Sequence, residues 1–84
     1  MNIDKILILN NICYTELVYK RINKKLKTNL SKKEIELFIF KVIKNTELNN
    51  FQKIGKNFYI FNLDEKIKIT VNSNTNRIIT VDKL

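Results

Sequence analysis

The sequence predicts an α+β domain: two to three N-terminal helices packed on a C-terminal three- to four-stranded, mostly antiparallel meander sheet. Residues 56–82 alternate apolar and polar side chains between polar turns, the pattern of strands with one buried and one solvated face. Residues 15–26 and 31–44 instead repeat apolar side chains at helical spacing. A chain of 84 residues has room for one core, so we assign residues 1–84 to a single domain of marginal stability.

The first two helical segments differ in character. Ile3 to about Ile12 is apolar on most sides and is predicted as a short buried helix capped by Asn2, although a strand fits the same residues. Thr15 is expected to cap a basic amphipathic helix that ends near Leu26. The predicted apolar side of this helix consists of Leu17, Val18, Ile22 and Leu26. The predicted basic side consists of Lys20, Arg21, Lys24 and Lys25.

The third helix has the clearest start. Ser31 and Glu34 have the spacing of a capping box, in which each side chain binds the backbone amide of the other residue, and Leu30 and Ile35 occupy hydrophobic-staple positions. The helix is predicted to continue to about Lys44 and to be the one that packs on the sheet. Its predicted buried residues are Ile35, Phe38, Ile39, Val42 and Ile43.

The strands follow in order. Phe51 to Ile54 is predicted as a short first strand, and Gly55 suits a turn with positive φ. The later strands are expected at residues 57–63, 66–72 and 77–82. In the third strand Ile67, Ile69 and Val71 should point inward, and Lys66, Lys68, Thr70 and Asn72 outward. Few charges protect the last strand, so we expect an open edge that permits either a monomer or a homodimer.

The charge distribution points to an anionic partner. The formal net charge is +8, and residues 20–33 contain several cations and no acidic residue. Such a cluster attracts phosphate backbones or acidic protein surfaces. The abundance of Lys, Asn and Ile is equally consistent with the codon bias of an AT-rich genome. The scarcity of Arg argues against base-specific recognition, because Arg binds bases and phosphates in bidentate fashion better than Lys.

Composition also excludes several classes of function. The chain has no histidine, which removes the usual general base and zinc ligand. Its carboxylates show no ligand spacing, so we expect no metal and no cofactor. The single cysteine, Cys13, is expected to be a small buried residue in a reducing cytoplasm. The apolar runs are far shorter than a membrane span, so no membrane partner is expected.

Three groups of residues resemble a family of small uncharacterised bacterial proteins known only as domain of unknown function 3781. They are Cys13 to Val18 with Arg21 to Asn23, Gly55 to Tyr59, and Ile69 to Asn72 with Ile78 to Thr80. The resemblance covers essentially the whole chain. It implies relatives but no activity, cofactor or site.

The favoured function is a small, basic, non-enzymatic binding protein whose partner is RNA or a ribonucleoprotein. Lys20, Lys24 and Lys27 lie on one helix face that could follow a phosphate backbone, and Tyr59 or Phe61 could stack on unpaired bases. The candidate binding residues are Lys20, Arg21, Lys24, Lys25, Lys27, Tyr59, Lys66, Lys68, Asn72 and Arg77.

Two alternatives stay open. One is an inhibitor of the kind that mobile elements encode against host defence nucleases, which would act on a protein target by direct contact. The other is a metal-independent ribonuclease, because the predicted topology looks like that of small bacterial ribonucleases with helices before a four-stranded sheet. Its active face would be formed by Tyr59, Lys66, Lys68, Thr70, Asn72 and Arg77.

Overall fold

The computed structural model describes residues 3–84 and confirms the predicted α+β arrangement. Its elements are α1 (Lys5–Asn11), α2 (Glu16–Leu26), α3 (Lys32–Asn45), a 3-10 turn (Leu48–Asn50), β1 (Phe51–Ile54), β2 (Asn57–Asn62), β3 (Ile67–Asn72) and β4 (Ile78–Lys83). The strands form one sheet in the order β1-β2-β3-β4, and each neighbouring pair is antiparallel. Within the described residues, no helix is both long and apolar enough to cross a membrane.

Helix α1 is less buried than its composition predicts. Asp4 is its N-cap and accepts a hydrogen bond of 3.0 Å from the Leu7 amide, whereas the predicted cap, Asn2, lies outside the described residues. Only Ile8 is buried in this helix, and Ile6 and Leu7 are exposed. The prediction of a buried helix is therefore wrong, because α1 presents one face to the rest of the fold and the other to water.

Helix α2 has the predicted bounds and, except at Leu17, the predicted apolar side, since Leu26 also packs against the core. Val18 and Ile22 are buried, whereas Leu17 is 71% exposed. Successive helical residues are turned by about 100°, which carries Leu17 out of the buried stripe and toward Lys20 and Lys24. Thr15 occupies the N-cap position, but its side chain makes no capping hydrogen bond.

Helix α3 begins as predicted. The Ser31 hydroxyl accepts a hydrogen bond of 3.1 Å from the Glu34 amide, and the Glu34 carboxylate accepts one of 2.8 Å from the Ser31 amide. This reciprocal pair satisfies two amides that the helix itself leaves unpaired. Ile35, Ile39, Val42 and Ile43 are buried and Phe38 is half-buried, so the predicted core face is confirmed.

The sheet contributes the other half of the core. Ile60, Ile69 and Val81 lie opposite one another across β2, β3 and β4, and none of them is exposed to solvent. Burial of each such side chain contributes roughly 1.5–3 kcal/mol. Gly55 adopts the positive φ of 60° predicted for the turn between β1 and β2. Thr70 lies on the outer face as predicted but is only 5% exposed, because its neighbours on that face cover it.

Two helices share the packing against the sheet, which agrees with the predicted fold class, although the sequence singles out only α3 for this role. Helix α2 runs along β4, and α3 faces β2. The cause is local: Cys13 forms a parallel bridge with Arg77, so the chain enters α2 directly beside the start of β4.

The same bridge corrects the prediction of an open edge at the start of β4. The Cys13 amide donates to the Asn76 carbonyl at 3.0 Å, and the Ile78 amide donates to the Cys13 carbonyl at 2.9 Å. These bonds occupy backbone groups at the start of β4, and the Arg21 side chain binds the Ile79 carbonyl further along the strand. The choice between monomer and homodimer stays a prediction. The Cys13 side chain is exposed rather than buried, because this segment lies on the outside of the sheet edge.

Candidate nucleic-acid interface

Helix α2 is held along β4 by two side chains from its basic face. The Arg21 guanidinium donates to the Ile79 carbonyl at 3.1 Å, and Lys25 Nζ lies 2.9 Å from the Asp82 carboxylate. Since these contacts are one helical turn apart, α2 and β4 run side by side. The helix cations and the residues of β4 therefore form one continuous surface.

We call this surface the α2–β4 strip. Its members are all exposed cations: Lys20, Arg21, Lys24, Lys25, Lys27 and Arg77. Two carboxylates border it, and each forms an ion pair: Asp82 with Lys25 at 2.9 Å, and Glu16 with Lys32 of α3 at 2.7 Å. The other cations of the strip thus face solvent with little opposing charge, which suits binding of a polyanion.

The strip contains a pocket where two distant parts of the chain meet. Arg21 and Arg77 are the only arginines in the sequence, and both line this pocket of about 190 Å³. We call it the arginine pocket. Its other lining residues are Thr15, Leu17, Val18, Ile78 and Ile79. Two arginines that line one pocket together with apolar residues suit an anionic ligand, because a guanidinium group recognises phosphate or carboxylate in bidentate fashion.

The outer face of the sheet carries a second set of candidate residues. Tyr59 and Phe61 lie two positions apart on β2 and therefore on the same face. Lys68, the register partner of Phe61, places its Nζ 5.7 Å from the centre of the Tyr59 ring. This distance falls within the range of cation–π attraction. Lys68 is also opposite Asp82, so the row continues through Asp82 to Lys25 of the strip.

The predicted site residues do not all lie on one surface: some lie on the α2–β4 strip, some on the outer face of the sheet, and Lys66 lies in a turn. Tyr59 and Lys68 belong to the outer face. Asn72 lies on the same strand as Lys68, but its side-chain oxygen accepts hydrogen bonds from the backbone amides of residues 74 and 75 at 2.8 and 3.0 Å. Lys66 lies in the turn before β3, with a φ of 57°. Arg77 lines the arginine pocket. Four of the six residues proposed for a ribonuclease face, Tyr59, Lys68, Thr70 and Asn72, thus share the outer face of the sheet, whereas Lys66 lies in a turn and Arg77 lines the arginine pocket.

A family model described as a protein of unknown function (DUF3781) matches residues 6–82, which is most of the chain. The chain belongs to this family. All the motifs that suggested the resemblance fall within the matched range, and so do both arginines of the pocket. Neither the comparison with curated proteins nor the comparison with solved structures gave a match. The site must therefore be interpreted from the geometry of this family member itself.

One polar cluster of this family member was not predicted. The Tyr14 and Tyr19 rings stack with centroids 5.3 Å apart, and the Tyr19 hydroxyl donates to the Glu36 carboxylate of α3. Partial removal from water and the Glu36 hydrogen bond raise the pKa of Tyr19 to about 12. Burial raises the pKa of Tyr14 even further above its usual range. A tyrosine hydroxyl is protonated at neutral pH even at its ordinary pKa of about 10, and the raised pKa moves it further from ionisation. The stacked rings and the Glu36 hydrogen bond suit structural packing between α2 and α3.

A second pocket, outside the strip, contains acidic residues. Glu47 and Asp64 line a polar pocket of about 210 Å³ together with Asn45, Thr46, Asn50, Phe61, Asn62 and Leu63. Among residues 3–84, no three His, Cys, Asp or Glu side chains are grouped closely enough to hold a metal ion. The two acidic residues of this pocket, Glu47 and Asp64, do not belong to the α2–β4 strip.

Proposed function

We propose that this protein is a cytoplasmic, non-enzymatic binder of single-stranded RNA, either free or within a ribonucleoprotein. The single observation that carries the proposal is the convergence of the α2 cations with Arg77 of the β4 region on one surface whose bordering acids are already paired. Phosphate contacts by such cations release counterions and supply most of the affinity of sequence-independent binding.

The outer face supports unpaired rather than duplex RNA. Tyr59 and Phe61 are half-buried and lie side by side on β2, so their rings have an exposed portion that nucleobases can contact. Bases that are not paired can stack on aromatic side chains, whereas the bases of a duplex are already stacked. The row from Phe61 through Lys68 and Asp82 to Lys25 joins this face to the strip, so one strand can contact both.

The test measures the salt dependence of binding by fluorescence anisotropy, with a labelled single-stranded RNA of mixed sequence. In the strip variant, Lys20, Lys24 and Lys27 are replaced by Gln. In the control variant, Lys33, Lys41 and Lys44 of α3 are replaced by Gln, which removes the same formal charge. Each lost contact with a single strand should lower the slope of log affinity against log salt by about 0.7.

We expect the strip variant to bind RNA more weakly than the unaltered protein. Its slope of log affinity against log salt should be smaller by about 2, since three contacts of about 0.7 each are removed. The α3 variant should change much less. An equal loss in both variants would show attraction by overall charge and contradict a defined strip. Absence of salt-dependent RNA binding by the unaltered protein would refute the proposed function.

A second candidate, the inhibitor that contacts a protein target, is favoured by a different surface. Ile6, Leu7 and Leu48 are 70%, 57% and 52% exposed, and Ile6 and Leu48 line a broad open groove of about 460 Å³. Exposed apolar groups that lie together are typical of protein contact sites. A stoichiometric protein partner that survives ribonuclease treatment, and is lost when Ile6 is replaced by Lys, would favour this candidate.

A further inference from the structure

The arginine pocket differs from the rest of the strip because it is concave and partly apolar. Helix α2 contributes Arg21 and the apolar wall of Leu17 and Val18, and the β4 region contributes Arg77 and the opposite wall of Ile78 and Ile79. Both arginines are exposed, so the pocket acts mainly by bringing two cationic residues to one place. The pocket therefore offers a stronger anion site than an isolated lysine on the exposed helix face.

The polar groups of the pocket have unused hydrogen-bonding capacity. Arg21 donates one hydrogen bond to the Ile79 carbonyl at 3.1 Å, which orients its guanidinium, and a guanidinium has five N–H donors. Within residues 3–84, the hydrogen bonds of Arg77 involve only its backbone. The Thr15 hydroxyl makes no capping bond, so it can also donate. The nearest acid in sequence, Glu16, is paired with Lys32.

The pocket also marks one end of the cationic surface on α2. Its helical residues come from the first half of α2, and the cations Lys24 and Lys27 continue from it toward the other end of the helix. A strand that ends at the pocket would have its internal phosphates within reach of those cations. A terminal phosphate monoester carries close to two negative charges at neutral pH, because its second pKa is near 6. An internal diester carries one, so two guanidinium groups match the monoester better.

We propose that the arginine pocket binds the terminal phosphate monoester of an RNA strand, with Arg21 and Arg77 as its two cationic ligands and Thr15 as a hydroxyl donor. This inference rests on the proposed function and deepens it: the protein would recognise phosphorylated RNA ends. The internal phosphates would lie on Lys20, Lys24 and Lys27.

The test compares three RNA oligonucleotides of one sequence that carry a 5′-phosphate, a 3′-phosphate or hydroxyl groups at both ends. Equilibrium binding is measured with the unaltered protein, with Arg77→Gln and with Lys20→Gln, which removes the same charge from the strip outside the pocket. Arg77→Gln is preferred to a change at Arg21, since the Arg21 side chain also holds α2 to β4.

We expect one phosphorylated oligonucleotide to bind about tenfold more tightly than the hydroxyl form, a difference of about 1.4 kcal/mol. Arg77→Gln should abolish this advantage, whereas Lys20→Gln should weaken all three oligonucleotides by a similar factor. The advantage should also shrink between pH 7.5 and pH 5, as the monoester takes up its second proton near pH 6.

Equal binding of the three oligonucleotides, or an advantage that persists in Arg77→Gln, would overturn the terminal-phosphate site and leave RNA binding by the strip intact. Failure of the unaltered protein to bind any of the three would overturn both proposals. The two failures are therefore distinguishable in one experiment.

Discussion

Lys25 of α2 and Asp82 of β4 form an ion pair of 2.9 Å whose side chains are 49% and 32% exposed. A pair this exposed contributes at most about 1 kcal/mol to stability, because water and salt screen it. Its larger effect is on the surface charge. Asp82 is the acidic residue opposite Lys68 on the outer face, and it neutralises one cation of the α2–β4 strip.

Replacement of Asp82 by Asn should therefore strengthen RNA binding at little cost in stability. The change frees Lys25 and removes a negative charge between the strip and the outer face. We expect higher affinity and a salt slope steeper by about 0.7, equivalent to one more phosphate contact on a single strand. The free energy of unfolding should fall by less than about 1 kcal/mol.

The control for that prediction is Glu47→Gln, which changes the net charge equally in the acidic pocket outside the strip. It should leave the salt slope unchanged. If both variants gain the same affinity, the gain reflects net charge alone, and the strip would have no special role.

A buried polar network should contribute measurably to stability. Asn62 of β2 is 5% exposed, donates to the Thr46 hydroxyl at 2.9 Å and accepts from the Glu65 amide at 2.7 Å. The Thr46 hydroxyl in turn donates to the Val42 carbonyl at 2.7 Å. Asn62→Ala would leave the Glu65 amide without its partner and also leave a cavity, so we expect a loss of about 2 kcal/mol in urea unfolding.

Asn74→Ala is the control for this loss. Asn74 is exposed in the turn between β3 and β4, and only its backbone amide is hydrogen-bonded in the described part of the chain. The control should change stability by less than about 0.5 kcal/mol. A comparable loss in both variants would mean that the network is not a special source of stability.

The sequence predicted those features that depend on neighbouring residues. The Ser31–Glu34 capping box and the turn at Gly55 are readable because each is specified within a few positions and by residue types with few alternative roles. Strand alternation similarly identified the inward residues Ile67, Ile69 and Val71. The four strands and the order of elements follow from such local patterns.

Contacts between distant residues were not predictable in the same way. No pattern of neighbouring residues in the sequence indicates that Arg21 and Arg77 line one pocket, or that Cys13 bridges to Arg77. Both relationships depend on how α2 is placed beside β4. The error at Leu17 has a related cause. The periodicity of α2 locates the middle of its apolar stripe at Ile22, but only the packed neighbours decide how far the buried region extends around the helix.

The acid sensitivity of α3 should depend on Glu34. Hydrogen bonds from the backbone and side chain of Ser31 lower the pKa of the Glu34 carboxyl group below its ordinary value. A group whose pKa is lower in the folded state stabilises the fold above its unfolded pKa, and that contribution is lost as the pH falls through the folded pKa. Urea unfolding at pH 7 and pH 3 should therefore show a smaller loss for Glu34→Gln than for the unaltered protein.

Gln is the informative replacement because it retains an oxygen that can accept the Ser31 amide but does not titrate in this range. The remaining carboxylates titrate in both proteins, so the difference between them isolates Glu34. Identical losses on acidification would contradict a role for Glu34 in the pH dependence of stability.

Replacement of Lys27 by Gly should increase the stability of the protein and decrease its affinity for RNA. It ends α2 in the left-handed conformation, with φ 57° and ψ 48°, a position that glycine occupies at lower cost. We expect Lys27→Gly to raise the free energy of unfolding by about 0.5–1 kcal/mol. The same change removes a cation of the strip, so RNA affinity should fall and the salt slope should decrease by about 0.7.

Lys66→Gly is the matched control, because Lys66 also has a φ of 57° but lies in the turn before β3. It should give a similar gain in stability with a smaller loss of affinity, whereas equal losses of affinity would extend the RNA contact beyond the strip to the β2–β3 turn.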